Sequence, residues 1–227
     1  MIRPLLLFIV FVCAAVQASA QTKVLFLGNS ITNHGPKADI DWSGNWGMAA
    51  SAESKDYVHL VTKALAEKSG AAPEVMVKNI ADFERSYAGY DIATKLKEAV
   101  DFHAVLIVLA IGENVPGLKT SEDKATLQDA VTKLLITLKG DRQPTILVRS
   151  CFWANAAKDE ALKQACDAVG GNYVNISALG KDEKNFGRSE RPFKHAGVAN
   201  HPGDRGMEAI AAALIQKWSE IAAGKKP

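Results

Sequence analysis

An α/β fold, built on one parallel sheet with helices on both faces, is what the sequence predicts. Three observations carry this. Short apolar runs alternate along the chain with longer segments of helical spacing. The runs are apolar at nearly every position, as strands buried on both faces are, where strands with one wet face would alternate. Nothing between them reads as a linker, an internal repeat or a low-complexity stretch, so one domain accounts for the pattern.

The 227 residues suffice for a sizeable core, and 48% of them are hydrophobic. Lysine and arginine number 27 against 25 aspartates and glutamates. That balance gives no basic excess for a nucleic-acid backbone and no polybasic run for an anionic membrane. Ordinary apolar content with mixed charges also excludes a disordered chain.

Residues 1–20 read as an export signal. Arg3 supplies a positive start, residues 5–16 are apolar throughout, and Ala18-Ser19-Ala20 gives the small-x-small cleavage pattern before Gln21. As a helix the apolar run spans about 18 Å, short of a hydrocarbon core of roughly 30 Å, which argues against a retained anchor. Cys13 follows bulky Phe11-Val12, which does not suit lipidation. The expectation is a cleaved signal, a single domain over residues 21–227, no stable membrane anchor, and a periplasmic or secreted, essentially neutral product.

Within that domain, residues 24–27 form a first strand, ending in Gly28-Asn29-Ser30. Residues 51–68 are a helix, with Tyr57, Leu60, Val61, Ala64 and Leu65 on one face and Gly70 as its stop. A second strand covers 74–80 and a second helix 92–100. Residues 104–111 are the most buried-looking strand. A long helix over 121–138 carries Leu127, Val131, Leu134, Leu135 and Leu138 in one stripe, with Ser121 as N-cap. Strands at 145–148 and 172–176 enclose a helix over 159–169. Residues 177–203 are irregular, and an amphipathic helix over 206–222 closes the chain.

Only Cys151 and Cys166 remain after signal cleavage. One follows the fourth strand and the other lies late in the returning helix, at opposite ends of the sheet, so two free thiols are expected. No Cys/His cluster has metal-ligand spacing.

Ligands of such a sheet bind beyond the carboxyl ends of the strands, and three segments there carry chemistry. After the first strand, Ser30 stands on a tight turn that can present Oγ while its N–H helps to hold an oxyanion. After the third strand comes Gly112-Glu113-Asn114, where the Asn114 side chain offers an N–H toward developing negative charge. Before the last helix, His201 is followed by Pro202 and held between anchored ends, as a general base for a serine must be. Each segment alone also reads as ordinary turn or cap composition.

Taken together, in this order, the three blocks resemble those of the SGNH/GDSL hydrolase family, over the whole mature chain. The resemblance implies a flavodoxin-like, three-layer α/β/α fold. It also implies Ser30 as nucleophile, Asn114 as oxyanion donor and His201 as base. Two positions depart from the family pattern. Where a glycine five residues beyond Asn79 is usual, this chain has Glu84; its backbone N–H is still expected to donate to the oxyanion, with Arg85 holding the carboxylate away. Where an acid three residues before the histidine is usual, the chain has Val198. A Ser–His dyad is therefore expected. A backbone carbonyl from residues 197–200 is favoured over Asp204 as the group that orients His201. His195 is the rival base, while His34, His59 and His103 are placed elsewhere.

Trp42 and Trp46, in the long loop after the nucleophile, and Trp153, after the fourth strand, are candidates for stacking sugar at the site mouth; packing of the loop is the other reading. The resemblance and the export signal together imply an exported serine esterase acting on O-acyl esters of small molecules or oligosaccharides. Acetylated carbohydrate is the leading substrate, and no metal or cofactor is needed. A lysophospholipase or thioesterase is the enzymatic alternative, and a catalytically silent carbohydrate-binding module is the non-enzymatic one. A nucleotide binder does not fit, because the Gly28 turn lacks the glycines that cradle phosphate.

Overall fold

The computed structural model describes residues 22–224, so the expected signal segment lies outside the described residues. Five strands, β1 (Lys23–Gly28), β2 (Glu74–Asn79), β3 (Leu106–Ala110), β4 (Thr145–Arg149) and β5 (Asn172–Val174), pair in the order β2-β1-β3-β4-β5. Every pairing is parallel. Eight α-helices accompany them among the described residues: α1 (Tyr57–Ser69), α2 (Ala81–Ser86), α3 (Ile92–Lys95), α4 (Lys97–Asp101), α5 (Ser121–Lys139), α6 (Ala156–Ala168), α7 (Ala196–Ala199) and α8 (Asp204–Ala222).

Side-chain alternation along the strands creates the three layers. Val24, Phe26, Leu106, Val108 and Leu147 face Tyr57, Val61 and Leu65 of α1 and Met207, Ile210 and Leu214 of α8. Leu25, Leu27, Ile107 and Leu109 face the opposite way, toward Phe83, Ile92, Leu127, Val131, Leu134 and Leu162. The result is a flavodoxin-like α/β/α sandwich. Its strand order reverses at β1/β3, where a doubly wound sheet opens a crevice beyond the strand ends.

Element limits shift where side chains cap differently from expectation. Helix α1 starts at Tyr57 because Asp56 accepts the N–H of His59 and also holds Gly47 N, leaving residues 53–55 as a 3₁₀ turn. Helix α5 is capped by Thr120 in a reciprocal box with Asp123, displacing Ser121 into the first turn. Helix α8 begins at Asp204, two residues before the expected Gly206, because the Glu190 carboxylate accepts the N–H groups of Asp204 and Arg205. The helix expected over 92–100 is broken at Leu96 into α3 and α4. Cys151 and Cys166 are free and buried, as expected. No helix among the described residues is long and apolar enough to cross a membrane.

Candidate active site

Beyond β1 the chain turns sharply: the carbonyl of Asn29 accepts the N–H groups of Thr32 and Asn33. The Asn29 side chain is fully buried and pointed inward, where Oδ1 takes Ile31 N–H at 3.1 Å. Ser30, the next residue, therefore faces the cleft. Its carbonyl is tied to Met48 N–H, and no acceptor among the described residues meets its own N–H.

His201 arrives from the other end of the sequence. Its Nε2 lies 2.8 Å from Ser30 Oγ, and its Nδ1 lies 2.7 Å from the carbonyl oxygen of Gly197. A carbonyl can only accept, so Nδ1 carries the proton and Nε2 faces the serine with its lone pair. Gly197 belongs to α7, whose last carbonyls have no helical partner and are open to such a donor. Trp153 meets the imidazole edge-on, with ring centroids 5.4 Å apart. Burial lowers the proton affinity of His201 below the usual imidazole value, against the opposing pull of the Gly197 bond.

The position where the resemblance implies an acid is buried in apolar surroundings. Val198 is 1% exposed and packs with Trp42, Met48 and Ala49 in a small apolar cluster. Asp204 is committed elsewhere: it accepts the N–H and hydroxyl of Ser51 and stands near Arg191. His195 lines the same cleft as Ser30, as does His34, whose ring is bonded to Gly35 O. His59 is paired with Asp56 and Glu53.

Asn114 reaches the site from the loop after β3, which begins at Gly112. That residue has φ +125°, and a Cβ there would lie 2.4 Å from Cys151 Sγ, so only glycine fits. The Asn114 carboxamide is held at both ends by adjacent residues of α2: Nδ2 donates to Glu84 Oε2 at 2.7 Å, and Oδ1 accepts from Arg85 Nη2 at 3.4 Å. Nδ2 keeps a second hydrogen.

The expectation for Glu84 needs correction. Its backbone N–H donates to Ile80 O as part of α2, at 3.3 Å, and is not offered to the cleft. The carboxylate is not held away by Arg85 either; it is buried. There it accepts from Asn29 Nδ2, Gly112 N and Asn114 N as well as from Asn114 Nδ2.

Behind it lies a polar network that the sequence reading missed. Glu113 accepts from Asn29 Nδ2 at 2.7 Å, Phe152 N at 2.8 Å and Arg149 Nη1 at 2.6 Å. Lys158 Nζ donates to the carbonyls of Gly112 and Val115. Burial would raise Glu113, but the Arg149 guanidinium and the other donors hold it below the ordinary carboxylate range. Burial, and then the Glu113 charge, raise Glu84. The available signal was a charged residue, Arg149, ending an otherwise apolar strand, with Glu113 inside a motif already singled out.

Two clefts meet at the serine. One, of about 490 Å³, is lined by Ser30, His34, Arg85, Asn114, His195 and His201. The other, of about 550 Å³, adds Trp153, Phe186 and Arg188 to the shared Ser30, Asn114 and His201. Trp153 is thus brought to the site. Trp42 and Trp46 line neither cleft; they pack edge to face, their indole N–H groups bonded to His34 O and Ala50 O, beside a separate hollow with Arg191 and Phe193. For these two, packing of the loop is the arrangement found. No group of three or more His, Cys, Asp or Glu residues among those described is placed to hold a metal ion.

No protein-family model matches the sequence, and no curated protein matches it. Solved structures of similar fold do exist. A family two carbohydrate esterase from Cellvibrio japonicus aligns with a TM-score of 0.55 and 19% identity, over 88% of this chain and 61% of that one. This chain therefore spans about three fifths of that structure. A family three carbohydrate esterase from Talaromyces cellulolyticus gives 0.54 and 14%, over 88% of this chain and 98% of that one. A protein described as a GDSL-like lipase, from Bacteroides ovatus, gives 0.54 and 14%, over 89% of this chain and 100% of that one. The fold is that of the SGNH/GDSL hydrolases.

Proposed function

We propose that this chain is an exported serine esterase that hydrolyses O-acyl esters, with acetylated carbohydrate as its substrate class. The observation that carries the reading is the 2.8 Å contact between Ser30 Oγ and His201 Nε2, with Gly197 O fixing the tautomer. Ser30 Oγ attacks the ester carbonyl as His201 Nε2 takes its proton. The Ser30 N–H and the free hydrogen of Asn114 Nδ2 hold the oxygen that becomes negative. His201 returns the proton to the departing alcohol, leaving an acyl-serine. Water, deprotonated by the same imidazole, then releases the acid and restores the serine.

The carbohydrate preference is supported by the two carbohydrate esterases of like fold, by Trp153 beside the catalytic imidazole, and by the export signal of residues 1–20, which makes the product periplasmic or secreted. A fluorophosphonate should modify Ser30 in the folded protein, and a panel of esters should show acetylated oligosaccharides turned over faster than long-chain acyl esters. Preference for long chains would make it a lipid esterase or thioesterase. An unlabelled Ser30 would point to a silent carbohydrate-binding module.

A further inference from the structure

Glu84 is a fully buried carboxylate standing directly behind Asn114, and no lysine or arginine among the described residues forms an ion pair with it. Each of its hydrogen-bond partners is a donor: Asn29 Nδ2 at 3.2 Å, Gly112 N at 2.6 Å and Asn114 N at 3.2 Å on Oε1, and Asn114 Nδ2 at 2.7 Å on Oε2. A group that only accepts is suited to such a shell, and an ionised carboxylate only accepts. Two of the four contacts fix the backbone of the loop that carries Asn114. A third fixes its side chain.

A carboxamide can sit in either of two flips. With Oε2 of Glu84 at one end, only the amino end is tolerated there, since a flipped Oδ1 would face a carboxylate. Arg85 Nη2, donating to Oδ1, selects the same flip from the other side. We propose that Glu84 is a positioning residue whose carboxylate aims the Asn114 amide, so that the second Nδ2 hydrogen faces the oxygen of the reacting ester. This rests on the reading of Asn114 as an oxyanion donor. It explains how a carboxylate is tolerated where negative charge develops: repulsion of the oxyanion is outweighed by a donor held ready in one orientation.

Glu84→Gln is nearly isosteric, but it turns an acceptor into an amino group opposite Asn114 Nδ2. The amide then flips, and the donor is lost. The expected result is a kcat about 10²–10³-fold lower with KM within a few-fold, the same loss as Asn114→Ala. The double substitution should be no worse than Asn114→Ala alone, because both remove one donor. Glu84→Asp keeps the acceptor character and should retain more kcat than Glu84→Gln. Rates are taken per serine titrated by a fluorophosphonate run to completion, so an unfolded fraction does not enter. A Glu84→Gln enzyme with unchanged or raised kcat, beside a damaged Asn114→Ala, overturns the proposal and shows repulsion to dominate. Additive losses, or Gln outperforming Asp, overturn it equally. If Asn114→Ala keeps full kcat, the underlying oxyanion reading fails and takes the proposal with it.

Discussion

The carbonyl of Gly197 lies 2.7 Å from Nδ1 of His201, four residues later in the chain. A neutral peptide dipole thus orients the imidazole at the position where a carboxylate would otherwise be expected. It fixes the tautomer as a carboxylate would, but would supply less stabilisation to an imidazolium formed in the proposed proton transfer.

Asp204 should consequently be dispensable for chemistry. Asp204→Asn is expected to leave turnover within a few-fold, losing about 1 kcal/mol of stability through its bonds to Ser51. His201→Ala should lower turnover by at least about 10²-fold, the lower end of what a general base contributes. Steady-state kinetics with urea melts check both, and a collapse of turnover in a folded Asp204→Asn enzyme would contradict the carbonyl's role.

The pH profile follows from the burial of His201. In the proposed reaction neutral imidazole is the competent base, and burial disfavours the charged form, so the neutral form persists to lower pH than in water. Activity should hold its plateau as pH falls past about 6.5, the ordinary histidine value, and decline only beneath it. The acid limb of kcat/KM reports this for the free enzyme. A midpoint above the ordinary value would be inconsistent with it.

Placing an acid at position 198 should not supply a working third member to Ser30 and His201. The Val198 side chain is enclosed by Trp42, Met48 and Ala49, so Val198→Asp buries an unpaired carboxylate. The expected cost is about 3 kcal/mol or more in urea unfolding, with no gain in kcat.

Arg149 and Glu113 form a fully desolvated ion pair, 0% and 3% exposed. Removing one partner strands the other beside Glu84. Arg149→Met is expected to cost about 3–5 kcal/mol by chemical denaturation, whereas Arg149→Met combined with Glu113→Gln should recover part of that loss. A double variant less stable than the single one would refute this account.

Much of the architecture was legible because it depends on local pattern. The continuous apolar run 104–111 reads as a strand covered on both faces, and its centre, Leu106–Ala110, is one, although Val105 before it is exposed; the helical stripe of Leu127 and its neighbours needs no tertiary information. The Ser30–Asn114–His201 set was legible because each residue follows or precedes a recognisable element. Two helix starts were misjudged because their partners are remote: Glu190 caps α8 from fourteen residues upstream, and Ser51 bonds Asp204 in preference to starting a helix. Glu84 was misread for the same reason. Its hydrogen bonds come from four donors on two distant segments, the turn at Asn29 and the loop of Gly112 and Asn114, and nothing near position 84 announces them. The tryptophans were ambiguous in sequence because stacking a sugar and filling a loop require the same side chain.

The valine at position 198 has a mechanical consequence. Ser30 is tied to Met48 through the backbone, and Met48 shares an apolar cluster with Val198, whose neighbour Gly197 is bonded to the His201 ring. Ser30 and His201, 171 residues apart in the chain, are therefore registered against each other by one greasy joint. Van der Waals fit at that joint, insensitive to salt, keeps the distance between them. An electrostatic tether in its place would loosen as ionic strength rose.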